Sequence, residues 1–594
     1  MTADNYLVLA ILSAAVVLFV SEKLRADVVA LLVLFALILT GVLTVDEAFS
    51  GFASPAVVTV WAVFIISGAV QRSGIADLIA RQLLRLAGQS ETRLLLLLMV
   101  GAGVMSAFMN NIGAVAILMP TVLSIGRKLT ISPSRLLMPL AFAALLGGNM
   151  TLIGTPPNIL ATDIMRSYGV APFAFFDFLP TGIMVLGAGV LYMLLIGRKL
   201  IPDRIAPGDL SQEYHLRQYL TEVRVGSQSS LLGRPVKETD LGLAYDLNVV
   251  HVRPRQADMV SALSDHRLMA GDVLLLEGPP QAILNASEAY RLSPVTDFSA
   301  DSWQAQGDSD DFHLTEITLA PGAQLEEQTI REMNFRERYG LSVLAVRHNG
   351  VDRVTHLGRL PISLGDSLLV YGPVERAASL LNDNNWLVLE SPNLELRRTR
   401  KIPLASVILL GVLVVATLGL LPIAALMLAG ALLMVIGRVV NMDEAYQAID
   451  WKAVFLIAGM LPLGLAMEKT GTAQLIAAQL VGLTSDLGPV VVLCTVFIMT
   501  ALLTELISNA AAAVLVVPIA IDVAFGLDLN AQPFVMATVI AASTSFLMPI
   551  GHQVNIIIFG AGGYRFFDYA RVGVGLNLLL LLITALFVPL VWPF

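Results

Sequence analysis

Five landmarks of an apolar chain occur twice in the same order, and this duplication constrains the fold more than any other feature. "LTVDEAFSGFASPAVVTVWAVFIISGAVQRSGIADLIA" (Leu43–Ala80) aligns with "VNMDEAYQAIDWKAVFLIAGMLPLGLAMEKTGTAQLIA" (Val440–Ala477), so that Asp46-Glu47 to Gly74 spans the same distance as Asp443-Glu444 to Gly471. "SAFMNNIGAVAILMP" (Ser106–Pro120) matches "TELISNAAAAVLVVP" (Thr504–Pro518). "IGTPPN" (Ile153–Asn158) matches "IGHQVN" (Ile550–Asn555), and "FFDFLPTG" (Phe175–Gly182) matches "FFDYARVG" (Phe566–Gly573).

The repeated halves belong in lipid. Only 14% of the 594 residues are charged and 56% are hydrophobic, against about 25% charged in soluble domains. Apolar runs such as "YLVLAILSAAVVLFV" (Tyr6–Val20) and "VGVGLNLLLLLITALFVPLVW" (Val572–Trp592) suit crossings of a bilayer core about 30 Å thick. The first run lacks a basic lead and an A-x-A site, so it reads as a helix and not a cleaved signal. The single cysteine, Cys494, excludes an intrachain disulfide framework and a Cys-based metal site.

The middle of the chain, from about Gly208 to Glu395, is a second duplication with soluble character. "LNVVHVRP" (Leu247–Pro254) is echoed by "LSVLAVRH" (Leu341–His348), and "LMAGDVLLLEGPPQAI" (Leu268–Ile283) by "ISLGDSLLVYGPVERA" (Ile362–Ala377). Each unit reads as short strands, a Gly-Asp turn and a small helix. An acidic, Ser-rich linker separates the two. The expected division is therefore 1–204 (first membrane repeat), 205–296, a linker at 297–311, 312–395, and 396–594 (second membrane repeat).

Charge sets the expected orientation. A re-entrant hairpin at Asn110-Asn111 leaves five crossings per half, an odd number, which inverts the second half. With both termini outside, Lys23, Arg25, Arg72, Arg81, Arg85, Arg93, Arg127, Lys128, Arg135, Arg198, Lys199, Arg204, Arg565 and Arg571 fall on the cytoplasmic side with the soluble insert. Arg166 and Lys469 remain outside.

"GGNMTLIGTPPNIL" (Gly147–Leu160) interrupts an apolar crossing with two prolines. Unpaired backbone groups cost several kcal/mol each in hydrocarbon, so such a break survives only where protein or a polar cavity satisfies it. Matching breaks in inverted repeats point to a midplane site in a secondary transporter. Freed carbonyls suit a hard cation such as Na⁺, and a half-helix N-terminus favours an anion.

The paired tips and breaks resemble the divalent anion:sodium symporter family (DASS) of the wider ion-transporter superfamily, and the insert resembles paired TrkA-C (RCK C-terminal) domains. The resemblance implies a polytopic α-helical membrane protein of two inverted repeats with re-entrant hairpins and unwound helices, plus an α+β cytoplasmic insert. It implies Na⁺ sites at Ser106, Asn110, Asn111 and Gly154, and at Thr504, Ser508, Asn509 and Gly551. Substrate would contact Asn110, Asn111, Ile112, Ser508, Asn509 and Ala510, with Thr155, Pro156, His552 and Gln553 lining the cavity. It further implies elevator-type alternation, a homodimer in the plasma (inner) membrane, and control through the insert, with an unknown small-molecule effector. The family's tip threonines are Ile112 and Ala510 here, the first tip has Asn110 for serine, and "GHQVN" stands for "GTPPN". Two hydroxyls for a carboxylate are therefore missing, which places sulfate ahead of a dicarboxylate.

Other residues carry plainer expectations. Glu505 either couples protons or sodium or holds the hairpin by hydrogen bonds. His552 is expected as an uncharged, cavity-lining group. Asp177 and Asp568 read as N-caps of the last crossing in each half, Gly147-Gly148 as a close helix contact, and Asp46-Glu47 with Asp443-Glu444 as helix starts. No Gly-Lys-Ser/Thr phosphate loop supports an ATP-driven pump, no TVGYG filter a potassium channel, and no triad or paired catalytic carboxylates an enzyme. A Na⁺/H⁺ or other ion antiporter remains the rival reading.

Overall fold

The computed structural model describes the chain except residues 204–219, 254–265, 295–311 and 391–400, most of 76–89, and scattered single positions. The acidic linker at 297–311, Arg81, Arg85 and Arg204 lie outside the described residues. The chain divides into two compact units: Met1–Arg204, Leu396–Ile558 and Tyr564–Phe594 form one, and Ile205–Glu395 with Phe559–Gly563 the other.

The first unit is helical. Its first half runs α1 (Ala3–Ser21), α2 (Ala26–Leu39), α3 (Val45–Phe49), α4 (Pro55–Ser73), α5 (Glu91–Ser106), α6 (Asn111–Leu129), α7 (Ser134–Gly147), α8 (Pro156–Ser167) and α9 (Leu179–Tyr192). The second runs α10 (Ile402–Leu418), α11 (Ile423–Ile436), α12 (Met442–Ala448), α13 (Trp451–Thr470), α14 (Thr472–Thr484), α15 (Pro489–Leu506), α16 (Asn509–Gly526), α17 (Gln532–Ala542), α18 (Gln553–Ala561) and α19 (Phe566–Val591). Among the described residues, seven helices are long and apolar enough to cross a membrane. The short helix α14, between the third crossing and the hairpin, is one that hydropathy counting does not anticipate.

The repeat is visible in how helices begin. Thr44 and Glu47 form a capping box at α3, and Asn441 and Glu444 form its counterpart at α12. Each of these glutamates also pairs with the other half: Arg72 at the end of α4 reaches Glu444 at 3.0 Å, and Lys469 near the end of α13 reaches Glu47 at 2.8 Å. The exchange extends to packing, since α2 lies on α13 and α11 on α4. Gly459 of α13 sits so close to α2 that an added Cβ would lie 2.9 Å from the Ala30 carbonyl carbon. Neither half is a separate domain; each completes the other's packing.

Two helix-start expectations are corrected. Asp177 does not cap α9, whose N-cap Phe178 makes no side-chain cap bond; its carboxylate instead accepts the Ala174 N–H (2.7 Å) in the preceding turn. Asp568 is the third residue of α19 and not its N-cap: its carboxylate accepts the Arg565 N–H (2.7 Å). The expected contact at Gly147 is present: a Cβ added there would collide with the Gly103 backbone of α5, so only glycine fits.

The second unit contains two antiparallel sheets. The first has four strands, β1 (Leu220–Val225), β2 (Asn248–Arg253), β3 (Val273–Glu277) and β4 (Leu292–Pro294), in the order β2-β3-β1-β4. The second has β5 (Phe312–Leu319), β6 (Ser342–His348), β7 (Val351–Arg353), β8 (Ser367–Pro373) and β9 (Trp386–Glu390), ordered β7-β6-β8-β5-β9. With β7 set aside the two orders coincide. A register shift between Val249 and His251 recurs between Val343 and Ala345. Each sheet covers its own apolar core, one around Leu274 and Leu276, the other around Phe335, Val370 and Trp386.

Candidate functional site

Both halves place the same three parts together: a hairpin tip, an interrupted helix, and an asparagine at the start of the helix that follows. The first tip lies between α5 and α6. Ser106, the last residue of α5, donates its hydroxyl to Asn111 Oδ1 (2.5 Å), while Asn110 Oδ1 accepts the Ile112 N–H (3.2 Å). The second tip repeats this between α15 and α16: Thr504 donates to Asn509 Oδ1 (2.9 Å), and Ser508, the N-cap of α16, accepts the Ala511 N–H (3.3 Å). Ile112 and Ala510 thus stand in the first turns of α6 and α16, where backbone N–H groups have no helical acceptor.

The interruptions face these tips. The first, 148–155, separates α7 from α8; the second, 543–552, separates α17 from α18. Pro156 and Pro157 do not break a running helix but open α8 behind the N-cap Thr155, where a missing N–H costs nothing. In the first half a Cβ on Gly148 would lie 2.9 Å from Asn111 Oδ1 and 3.3 Å from the Gly154 carbonyl oxygen, so tip and interruption touch. In the second half Ser545 replaces that glycine and donates its hydroxyl to Asn509 Oδ1 (2.9 Å). The structure thereby groups Ser106, Asn111 and Gly154, and separately Thr504 and Asn509, with Gly551 near the same helix end. Phe142 of α7 packs against Phe546 in the second interruption (4.7 Å between centroids), and α8 packs on α16, joining the two halves here.

Two asparagines not singled out from the sequence hold the interruptions open. Asn158 Nδ2 donates to the carbonyls of Gly148 (3.2 Å) and Thr151 (2.7 Å). Asn555 Nδ2 donates to those of Ser545 (2.7 Å) and Met548 (3.4 Å), the equivalent positions. Both side chains are fully buried, and their Oδ1 atoms have no hydrogen-bond partner. Because both partners of each Nδ2 are acceptors, the amide orientation is dictated by chemistry. Their signal was present as the final Asn of "IGTPPN" and "IGHQVN".

The remaining candidates take distinct places. Thr155 is buried with no cap bond, Pro156 is half-buried and Gln553 is exposed. His552 is half-buried and its Nδ1 accepts the Val554 N–H (3.1 Å), so the ring carries its proton on Nε2. Asn509 Nδ2 is buried and has no partner, although Asn509 Oδ1 receives two hydroxyls. Among the described residues no group of three or more His, Cys, Asp or Glu side chains could hold a metal ion. The donor set is hydroxyl, amide and carbonyl oxygen, which suits a hard cation and not a transition metal.

Many apolar helices, doubled about two interrupted ones, define a multi-pass membrane protein. The chain belongs to the citrate transporter family, CitMHS, whose model matches residues 16–541. It is 36% identical to an uncharacterized transporter of Synechocystis over 99% of this chain and 97% of that protein. It is 34% identical to the uncharacterized transporter YfbS of Escherichia coli over the full length of both. Sodium/sulfate cotransporter 1 of Chlamydomonas reinhardtii is 21% identical over 91% of this chain and 84% of its own length. The chain is therefore a transporter.

Proposed function

We propose that the protein is a secondary active symporter carrying a small divalent anion with Na⁺, sulfate ahead of a dicarboxylate. One observation carries this reading. Each tip meets an interrupted helix at hydroxyl, amide and carbonyl oxygens, joined in the second half by the Glu505 carboxylate, and at the second tip a buried amide donor, Asn509 Nδ2, has no protein acceptor. Oxygens serve a cation and the free donor serves an anion, so both ligands find complementary groups within one assembly. Coupling follows from that proximity, because each charge lowers the cost of burying the other. Missing tip hydroxyls at Ile112 and Ala510 favour a compact oxyanion, in keeping with the name of the Chlamydomonas relative. The family description, citrate transporter, supports a carboxylate as the second choice. Inverted topology, elevator-type alternation, a homodimer and a plasma-membrane setting with both termini outside follow from the DASS resemblance and the charge distribution.

The test is uptake of labelled sulfate and of succinate into proteoliposomes, with and without an inward Na⁺ gradient. Sulfate uptake that rises with the gradient is expected. Sodium-driven proton movement without flux of either anion would support the antiporter reading, which the buried carboxylate of Glu505 favours.

The strand-rich insert we assign as two TrkA-C-like regulatory domains on the cytoplasmic side, from the sequence resemblance and the charge distribution; the matching strand order of its two sheets supports the duplication. Deleting 208–395 is expected to leave anion uptake in place while changing its maximal rate. Uptake unchanged in rate and in response to cell extract would mark the insert as structural only.

A further inference from the structure

The two halves differ at one chemically decisive position. Next to the tip residue Thr504 stands Glu505; next to its counterpart Ser106 stands Ala107. Glu505 is only 3% exposed. Its Oε1 accepts the N–H groups of Phe546 and Leu547 (both 2.8 Å), and its Oε2 accepts that of Met548 (3.1 Å). One carboxylate thus satisfies three consecutive amides of the second interruption. The equivalent residues of the first interruption are Asn149, Met150 and Thr151, and there Thr151 donates its hydroxyl to the Ala107 carbonyl, with no side chain reaching back from position 107.

Among the described residues the carboxylate has no cationic partner: no Lys, Arg or His bonds to it, and all three of its bonds are to backbone N–H. Amide dipoles stabilise such an anion, yet a buried charge without a counter-ion remains expensive. It sits beside the second group of oxygens. A Cβ on Gly551 would lie 2.8 Å from Glu505 Oε2, and the neighbouring Thr504 hydroxyl bonds Asn509 Oδ1. With three N–H groups holding its two oxygens, the carboxylate acts as a fixed negative charge behind neutral ligands.

We propose that Glu505 is the counter-charge of the cation bound in the second half, and that the two cation sites are therefore unequal. The half with Glu505 holds Na⁺ more tightly than the half with Ala107. This rests on the symport reading.

Sodium binding to the purified full chain tests it, read as the Na⁺ concentration at half-maximal thermal stabilisation, with choline as control. Glu505→Gln is the nearest neutral mimic, because its carbonyl still accepts from Phe546 and Leu547. It is expected to raise that concentration on the order of tenfold or more, as loss of a charge a few ångströms away dictates. Glu505→Asp keeps the charge and is expected to fall between wild type and Glu505→Gln, which guards against a variant that merely folds poorly. Wild-type sodium affinity in Glu505→Gln, even with slow transport, would overturn the proposal and leave Glu505 as a holder of amides. Absence of any sodium effect on the wild type would instead overturn the symport reading itself, and this proposal with it.

Discussion

Asn509→Ala is expected to abolish anion uptake, by roughly a hundredfold or more, while the protein still extracts as a monodisperse species. The magnitude follows from what the side chain does at once. Its Oδ1 receives the hydroxyls of Thr504 and Ser545, and its Nδ2 is the buried donor left for a ligand. Truncation removes the donor and unties the tip from the interruption, although the Thr504 hydroxyl keeps the Ala542 carbonyl (2.7 Å) and the Ser545 hydroxyl that of Thr504 (3.4 Å); a lost buried hydrogen bond of this kind costs about 1–3 kcal/mol. Asn111→Ala should behave likewise, because Asn111 Oδ1 accepts from Ser106 at the equivalent place. The measurement is labelled uptake beside size-exclusion profiles. Full transport in either variant would remove the hairpin tips from the binding site.

The second large effect is on stability. Asn158→Ala and Asn555→Ala are each expected to destabilise the fold by about 1–3 kcal/mol, since each leaves one interrupted-helix carbonyl without a donor in a buried setting. For Asn158 this is the carbonyl of Gly148 and for Asn555 that of Ser545; the other two partners, the Thr151 and Met548 carbonyls, keep the N–H groups of Gly154 (3.3 Å) and Gly551 (3.4 Å). Asn158→Asp sharpens the test, because a carboxylate keeps the shape but cannot donate. Thermal inactivation of the purified protein reads the effect. Wild-type stability in Asn158→Asp would mean that the carbonyls are satisfied otherwise and that the amide does not hold the interruption.

Much of this was legible in the chain because it is local. The carboxylates of "VDEAF" and "MDEAY" lie in first helical turns, and the structure places Glu47 and Glu444 in capping boxes there. Apolar run length disclosed most of the crossings. Local reading failed where a side chain had two backbone partners within reach. Asp177 bonds back into the preceding turn, and Asp568 bonds from the third helical position and not the cap. It also failed at α14, whose 13 residues are too few to read as a crossing.

The sequence by itself determined that there are two copies of one apolar plan, that each is interrupted at the same point, and that a duplicated pair of strand-rich units lies between them. Periodicity, run length and repetition are properties of order along a chain, so they can be read there. Only the tertiary structure decided what the copies do for each other. The Arg72–Glu444 and Lys469–Glu47 pairs join residues of opposite halves. Glu505 meets the amides of residues 546–548 from 41 to 43 positions away. Such contacts depend on which helices pack together, and no local pattern encodes that choice.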